Sequence, residues 1–127
     1  MNGSGIYVIL SVGSNYGDKS LNVVNACDWL SGIILEFRMS SIYSSPAYGG
    51  GEEDYYNSVT EGKFIGKLED LEKLCKNYET DHGRNHEARL RGEVPIDIDI
   101  VIADGKILRQ RDFEREFFQR GYCQLKK

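Results

Sequence analysis

The sequence predicts an α+β fold: an antiparallel-dominated sheet with two helices on one face. Three observations predict it. Pro95-Ile96-Asp97-Ile98-Asp99-Ile100-Val101-Ile102 alternates strictly, the period of a strand with one apolar face. Ile6 to Val12 is a mostly apolar run, the pattern of a strand buried on both faces. Two other stretches, one after Asp18 and one from about Lys67 to Asp81, repeat apolar residues every three to four positions, as amphipathic helices do.

Length and composition bound the rest. A chain of 127 residues is read as a single domain spanning 1–127, large enough for a core without disulfide or metal staples. Its 40% hydrophobic and 28% charged residues are ordinary for a soluble globular protein. A net charge of −4 argues against a nucleic-acid partner. No apolar run approaches membrane-spanning length and the N-terminus does not read as a secretory leader, so no membrane partner and a cytoplasmic location are expected. Cys27, Cys75 and Cys123 are odd in number and form no CxxC pair, which argues against a disulfide scaffold or a zinc site.

In chain order, residues 1–5 read as a flexible start. The first strand ends in the turn-forming cluster Gly13-Ser14-Asn15-Tyr16-Gly17-Asp18, whose Asp18 is suited to cap the next helix. In that helix Val23, Val24, Cys27 and Leu30 should face the sheet, and Ser31-Gly32 stops it. Residues 33–43 alternate as one long strand, with Ile33, Leu35, Phe37, Met39 and Tyr43 on one face and Glu36 and Arg38 on the other. A glycine-rich connection around Gly49-Gly50-Gly51 leads to a third strand, Tyr55 to Phe64. Leu68, Leu71, Leu74, Cys75 and Tyr78 mark the second helix. His82 to Val94 reads as an arginine-bearing loop with little apolar periodicity. After the isoleucine strand, Asp104-Gly105 is a hairpin turn. The last twenty residues, with Phe113, Phe117, Phe118 and Tyr122, read as a short helix laid across the sheet. The order strand, helix, strand, strand, helix, strand is the split βαβ, ferredoxin-like arrangement.

The chemistry centres on Asp97 and Asp99. Residues two apart on a strand point the same way with Cα atoms about 6–7 Å apart. At an effective dielectric near 20 two such charges repel by about 2–3 kcal/mol. Solvent relieves that on an exposed edge; otherwise a cation does. Hard carboxylate oxygens favour Mg²⁺, which completes its shell with water and substrate phosphates. Beside them, Arg84, Arg89 and Arg91 offer planar donor forks that match phosphate oxygens. That combination suits phosphoryl transfer, where catalysis is mostly positioning and charge neutralisation. Tyr48, Tyr55, Tyr122 and Asn57 suggest a flat pocket, since aromatic faces sandwich a heterocycle and an amide reads its edge. Taken singly, each of these residues has a plain structural reading as core or solvated surface.

Together they resemble a known family. Gly13-Ser14-Asn15, Ser41-Ile42-Tyr43-Ser44-Ser45-Pro46, Asp54-Tyr55-Tyr56-Asn57, Glu79 with Gly83-Arg84, Asp97-Ile98-Asp99-Ile100 and Arg120-Gly121-Tyr122 follow in order over Ile6 to Leu125. In this the chain resembles 6-hydroxymethyl-7,8-dihydropterin pyrophosphokinase, the folate-pathway transferase often called HPPK. The resemblance implies ATP and pterin as small-molecule partners and transfer of pyrophosphate from ATP to the pterin hydroxymethyl group, releasing AMP. It implies two Mg²⁺ ions on Asp97 and Asp99. It implies a pterin pocket of Ser45, Pro46, Ala47, Tyr48, Tyr55, Asn57 and Tyr122. Lys76, Glu79, Arg84 and Ile100 would bind ATP, and Arg84, Arg91 and Arg120 would act on the reacting phosphates.

The chain also departs from the family pattern. His86 stands at a second arginine position, Arg91-Gly92-Glu93-Val94 replaces a Trp-Gly-Pro-Arg stretch, Glu114 falls where a histidine is expected, and relatives run on past Tyr122. Two further readings therefore stay open: a relative that binds pterin or nucleotide without turnover, and an unrelated ferredoxin-like interaction domain in which Asp97 and Asp99 are only solvated.

Overall fold

A computed structural model describes residues 5–46 and 54–126. Ala47, Tyr48, the Gly49-Gly50-Gly51 stretch and the start at residues 1–4 lie outside the described residues. The strands are β1 (Gly5–Ser14), β2 (Ile34–Met39), β3 (Tyr43–Ser45), β4 (Tyr55–Ile65), β5 (Asp97–Ala103) and β6 (Lys106–Ile107). The helices are α1 (Lys19–Ser31), α2 (Leu68–Asp81), α3 (His86–Leu90), α4 (Gln110–Glu114) and α5 (Glu116–Leu125). All described pairings are antiparallel, in the order β2-β4-β1-β5-β6, with β3 also on β4. The mixed α+β architecture is the expected one.

β1 is the middle of the sheet and its alternation sets both layers. Val8, Leu10 and Val12 point to one face, where they meet Phe64, Ile98 and Ile100 beneath α1 and α2. Asp18 caps α1 as expected, its carboxylate accepting from the Leu21 amide at 3.2 Å. The helix buries Val23, Ala26, Cys27 and Leu30, while Val24 is exposed. In α2 the buried set is Leu71, Cys75, Tyr78 and Glu79, and Leu74 turns outward. Each helix thus presents a narrower stripe than its apolar residues suggest, and a carboxylate takes one of the inward positions. Burial pushes the thiols of Cys27 and Cys75 up to about 12, which leaves them protonated packing groups.

The other sheet face carries a second layer. Ile9, Val59, Val101 and Ile102 pack with Phe118 and Leu125 of α5. Full burial of a side chain such as Phe118 contributes about 1.5–3 kcal/mol relative to exposure. The rotation of α5 is set by Gly121, whose amide donates to the Tyr43 hydroxyl at 3.0 Å. That hydroxyl in turn donates to the Phe117 carbonyl. α5 covers only part of this face, and the strand ends beyond it carry the polar side chains described below.

Two bulges correct the expected alternation. The 33–43 stretch is not one strand: Glu36 has φ 54°, the pairing with β4 slips between Leu35 and Arg38, and β3 starts afresh at Tyr43. An extra residue reverses the facing of everything beyond it. Ahead of the break Ile34 is the buried residue and Leu35 is 54% exposed; beyond it Met39 is 39% exposed. In β5 the pairing shifts between Ile9 and Leu10 of β1, so Ile102 sits opposite Ile9 and joins the α5 layer rather than continuing the face of Ile98 and Ile100. The arginine-bearing stretch also differs from a plain loop. Asn85 caps the short helix α3, its side chain accepting from the Ala88 amide at 2.8 Å. The Asp104-Gly105 hairpin forms as expected, with φ 48° and 80°, the pair of positive angles of a type I′ turn.

A Cβ added at Gly121 would lie 2.6 Å from both the Tyr43 hydroxyl oxygen and Val59 Cγ2. Gly121→Ala should therefore destabilise the protein by about 1–3 kcal/mol through overpacking, read as a lowered urea midpoint at unchanged slope. An unchanged midpoint would contradict this packing of α5.

Candidate functional site

The register of three strands assembles the site. Gly13 of β1 pairs with Asn57 on one side and Asp97 on the other; two residues earlier, Ser11 pairs with Val59 and Asp99. Asn57, Asp97 and Asp99 therefore share the face that α5 leaves uncovered. Gly13 makes the row possible, because a Cβ there would lie 3.1 Å from Asn57 Oδ1 and 3.4 Å from the Tyr55 ring. A cavity of about 190 Å³ opens over this floor. Ser45, Tyr55, Asn57, Asp97 and Asp99 line it, together with Arg109, Arg111, Asp112, Arg115 and Phe117. Asn57 is buried and donates from Nδ2 to Ser45 Oγ at 2.7 Å, which fixes the amide plane. Its second N–H and part of its oxygen's accepting capacity remain to read a planar edge.

The acids are held unequally. The Asp97 side chain is 36% exposed and the Asp99 side chain 16%. Burial, then the charge and hydrogen bond of Asp97, pushes the Asp99 carboxyl up to about 8. Arg84 answers Asp97: its guanidinium donates to Asp97 Oδ1 at 3.1 Å and to the Ile96 carbonyl at 3.0 Å, with Glu79 3.8 Å away. The Arg84 position follows from the end of α2, where Gly83 adopts φ 103° and the Arg84 amide donates to the Glu79 carbonyl at 3.0 Å. Glu79 itself is buried and accepts from the Ile98 amide at 2.8 Å. Burial raises its pKa and that amide lowers it. On the other side, Arg109 reaches Asp99 at 3.9 Å.

Two more clefts lie nearby, one at Asp99 and one at Arg84. One of about 200 Å³ is lined by Lys76, Ile98, Asp99, Ile100, Leu108 and Arg109 among others. Another of about 360 Å³ runs past Lys76, Glu79, Arg84, His86 and Arg89. Lys76, Glu79, Arg84 and Ile100 thus surround β5 on the side away from Asn57, and His86 joins Arg84 and Arg89 at an exposed rim.

Several residues named from the sequence stand elsewhere. Tyr122 does not line the cavity: its ring packs with Phe118 at 5.4 Å and Phe113 at 5.8 Å. With Gly121 against the sheet, a residue five positions earlier on α5 points about 140° away from Tyr122, and Phe117 is the aromatic that lines the cavity. Arg120 is exposed and lies over the Tyr43 ring, 4.7 Å from its centroid. Arg91 is exposed and pairs with Glu93 at 3.0 Å. Pro46 is exposed beside Ser45 without lining the cavity, and Ala47 and Tyr48 lie outside the described residues. Sequence reasoning missed Arg109, Arg111, Arg115 and Phe117. It also missed why Asn15 closes β1: its side chain and backbone bond Gly92 and Val94 at 2.6–3.1 Å, tying the segment before β5 to the site.

The donor set suits a hard divalent cation. Among the described residues no cage of three or more His, Cys, Asp or Glu side chains forms, and Mg²⁺ needs none, since it binds through one or two carboxylates with phosphates and water. A buried carboxyl whose ionisation is opposed by its neighbour gains from such a cation.

Comparison with known proteins agrees with this chemistry. Residues 9–127 match the family model described as 7,8-dihydro-6-hydroxymethylpterin-pyrophosphokinase (HPPK). The chain is similar to the folic acid synthesis protein FOL1 of Dictyostelium discoideum, 36% identical over 108 residues, which make up 84% of this chain and 16% of that protein. It is also similar to the 2-amino-4-hydroxy-6-hydroxymethyldihydropteridine pyrophosphokinase of Aquifex aeolicus (strain VF5), 28% identical over 105 residues, 82% of this chain and 65% of that protein. The chain spans less than two thirds of the length of either relative.

Because the Asp99 pKa is raised on folding, the folded state holds that proton more tightly than the unfolded one. The stabilisation is complete below the ordinary value of 3.8 and is lost as pH rises through about 8. In metal-free buffer the melting temperature should fall between pH 5 and 9, and Asp99→Asn should flatten that fall. Identical pH profiles for the two proteins would show that Asp99 is not the strained acid.

Proposed function

Because the chain belongs to the 7,8-dihydro-6-hydroxymethylpterin-pyrophosphokinase family, we propose that it transfers pyrophosphate from ATP to the hydroxymethyl group of 6-hydroxymethyl-7,8-dihydropterin, with Mg²⁺, in folate biosynthesis. Residues 1–127 act in this reading as one domain of that class. The observation that carries it is the convergence of a heterocycle pocket and an acid pair in one cavity, ringed by arginines.

The pterin ring lies between Tyr55 and Phe117, with Asn57 held by Ser45 reading its polar edge. Its hydroxymethyl group then points toward Asp97 and Asp99, which share the cavity. The nucleotide occupies the clefts on the other side of β5, near Lys76, Arg84 and Ile100. Asp97 and Asp99 would hold Mg²⁺, which when bound would supply the charge that neutralises and aligns phosphate oxygens. The hydroxymethyl oxygen bonds to the β-phosphorus as the bond from that phosphorus to the α-phosphate oxygen breaks. AMP leaves with that oxygen, and the hydroxyl proton is released. Arg84, fixed by Asp97 and the Ile96 carbonyl, supplies positive charge beside the metal carboxylate.

Arg91 and Arg120, which the resemblance assigns to the phosphates, are engaged elsewhere in this structure, and cations of the C-terminal segment stand at the cavity instead. Transfer in this chain therefore depends on Arg109, Arg111 and Arg115 for charge that relatives draw from the loop before the acidic strand.

Purified protein with ATP, Mg²⁺ and the hydroxymethyl pterin should release AMP. Asp97→Ala or Asp99→Ala should lower the rate by about 10²–10³, and Asn57→Ala should act mainly by raising KM for the pterin. Absence of AMP above background would overturn the catalytic reading, and pterin or nucleotide binding measured by calorimetry under the same conditions would then identify a binder without turnover.

A further inference from the structure

A cleft of about 640 Å³ opens between α1 and α2 on their outward side. It shares no residue with the cavity of Asn57 or with the clefts beside β5. A column of rings lines it and joins the two helices. Trp29 of α1 stacks on Tyr78 of α2 with centroids 4.5 Å apart, and Tyr78 stacks on His82 at 3.9 Å. His82 Nδ1 donates to the Tyr78 carbonyl at 2.8 Å, which holds the last ring in line. Beside the column stand two exposed carboxylates, Asp28 from α1 and Asp81 from α2. No lysine or arginine is among the described residues that line the cleft. From this meeting of aromatic faces and uncompensated acids we propose that the cleft docks a basic, extended segment of a protein partner. One arginine of that segment lies on the ring column, its guanidinium answered by Asp28 and Asp81.

The lining selects that occupant. A cation is drawn to an aromatic face, and a planar guanidinium also stacks there while its fork meets carboxylates. A lysine ammonium has neither the plane nor the fork. Asn25 and Asn77, one from each helix, add amides to the same cleft. Each amide offers a donor and an acceptor, which suits the peptide groups of an extended chain better than a free cation. Leu74, 39% exposed, gives the aliphatic stem an apolar surface. The net charge of −4 favours the approach of a basic partner and disfavours an acidic one. Packing of the core does not account for the column's ends, because Trp29 is only half-buried and His82 is exposed.

Trp29 is the single tryptophan of the chain, so tryptophan emission reports on the cleft directly. The probe is the peptide acetyl-Arg-Gly-Arg-Gly-Arg-amide, titrated into the full chain at physiological salt. Emission should change saturably. Asp28→Asn combined with Asp81→Asn should weaken binding about tenfold and each single substitution about threefold, at an unchanged urea midpoint because both side chains are exposed. The lysine version of the peptide should bind about threefold more weakly than the arginine version. Asp97→Asn should leave the titration as it is, which places the peptide away from the Asn57 cavity. An emission that ignores the peptide, a double variant that binds like wild type, or free arginine amide that binds as tightly as the peptide would overturn the proposal. None of these outcomes bears on the pyrophosphokinase reading, which the release of AMP tests separately.

Discussion

Two carboxylates that resist being charged together stand side by side on β5, and the pairing of β5 with β1 keeps them there. Asp97 is opposite Gly13 and Asp99 opposite Ser11, so neither acid can rotate away without breaking the central ladder of the sheet. The Asp99 side chain is largely buried, and burial with the neighbouring Asp97 charge pushes its carboxyl up to about 8, above the ordinary acid range. Around this strained pair the molecule collects positive charge: Arg84 from the end of α2, Arg109 from the chain beyond β6. Such an arrangement costs stability in the free protein, and costs of this kind are characteristic of sites that a ligand completes.

The two faces of the sheet divide the work. Beneath α1 and α2 lies a dry layer built on Val8, Leu10, Val12, Ile98 and Ile100, which fixes the strands relative to one another. On the opposite face α5 buries Phe118 and Leu125 and stops short of the strand ends. The uncovered end supplies the cavity. Gly13 and Ser11, small residues of β1 on that face, leave room for Tyr55 and Asn57 to lie over the backbone. An unrelated interaction domain would have no need of that clearance or of a carboxylate so poorly solvated, and the family match over residues 9–127 agrees with the ligand-binding reading.

Much of this was legible in the sequence. The strand alternation at Ile96 to Ile100, the helix cap at Asp18 and the hairpin at Asp104-Gly105 depend on local periodicity and backbone preference, and the structure has them all. The placing of Asp97, Asp99, Asn57, Tyr55 and Ser45 in one cavity was also within reach, through the resemblance. What stayed hidden needed register. A bulge at Glu36 breaks the single face that Leu35 and Met39 were expected to share, and a second near Val101 moves Ile102 to the other layer; strict alternation cannot show either. Tyr122 was assigned to the cavity without knowledge of which way α5 is rotated, and Gly121 decides that. The Arg109 position did leave a signal. With Ala103 opposite Lys106 and Ile102 opposite Ile107, continuing the hairpin brings the residues after Leu108 alongside Ile100 and Asp99.

The central claim is that Asp97 and Asp99 form a metal shelf between a heterocycle pocket and a nucleotide cleft. Anomalous diffraction from a crystal grown with Mn²⁺, α,β-methylene-ATP and the hydroxymethyl pterin tests it most directly. Mn²⁺ peaks should appear within bonding distance of both carboxylates, with the pterin beside Asn57 and the nucleotide in the clefts of Lys76, Arg84 and Ile100. Ligands bound with no metal at these aspartates, or metal bound elsewhere on the protein, would contradict it.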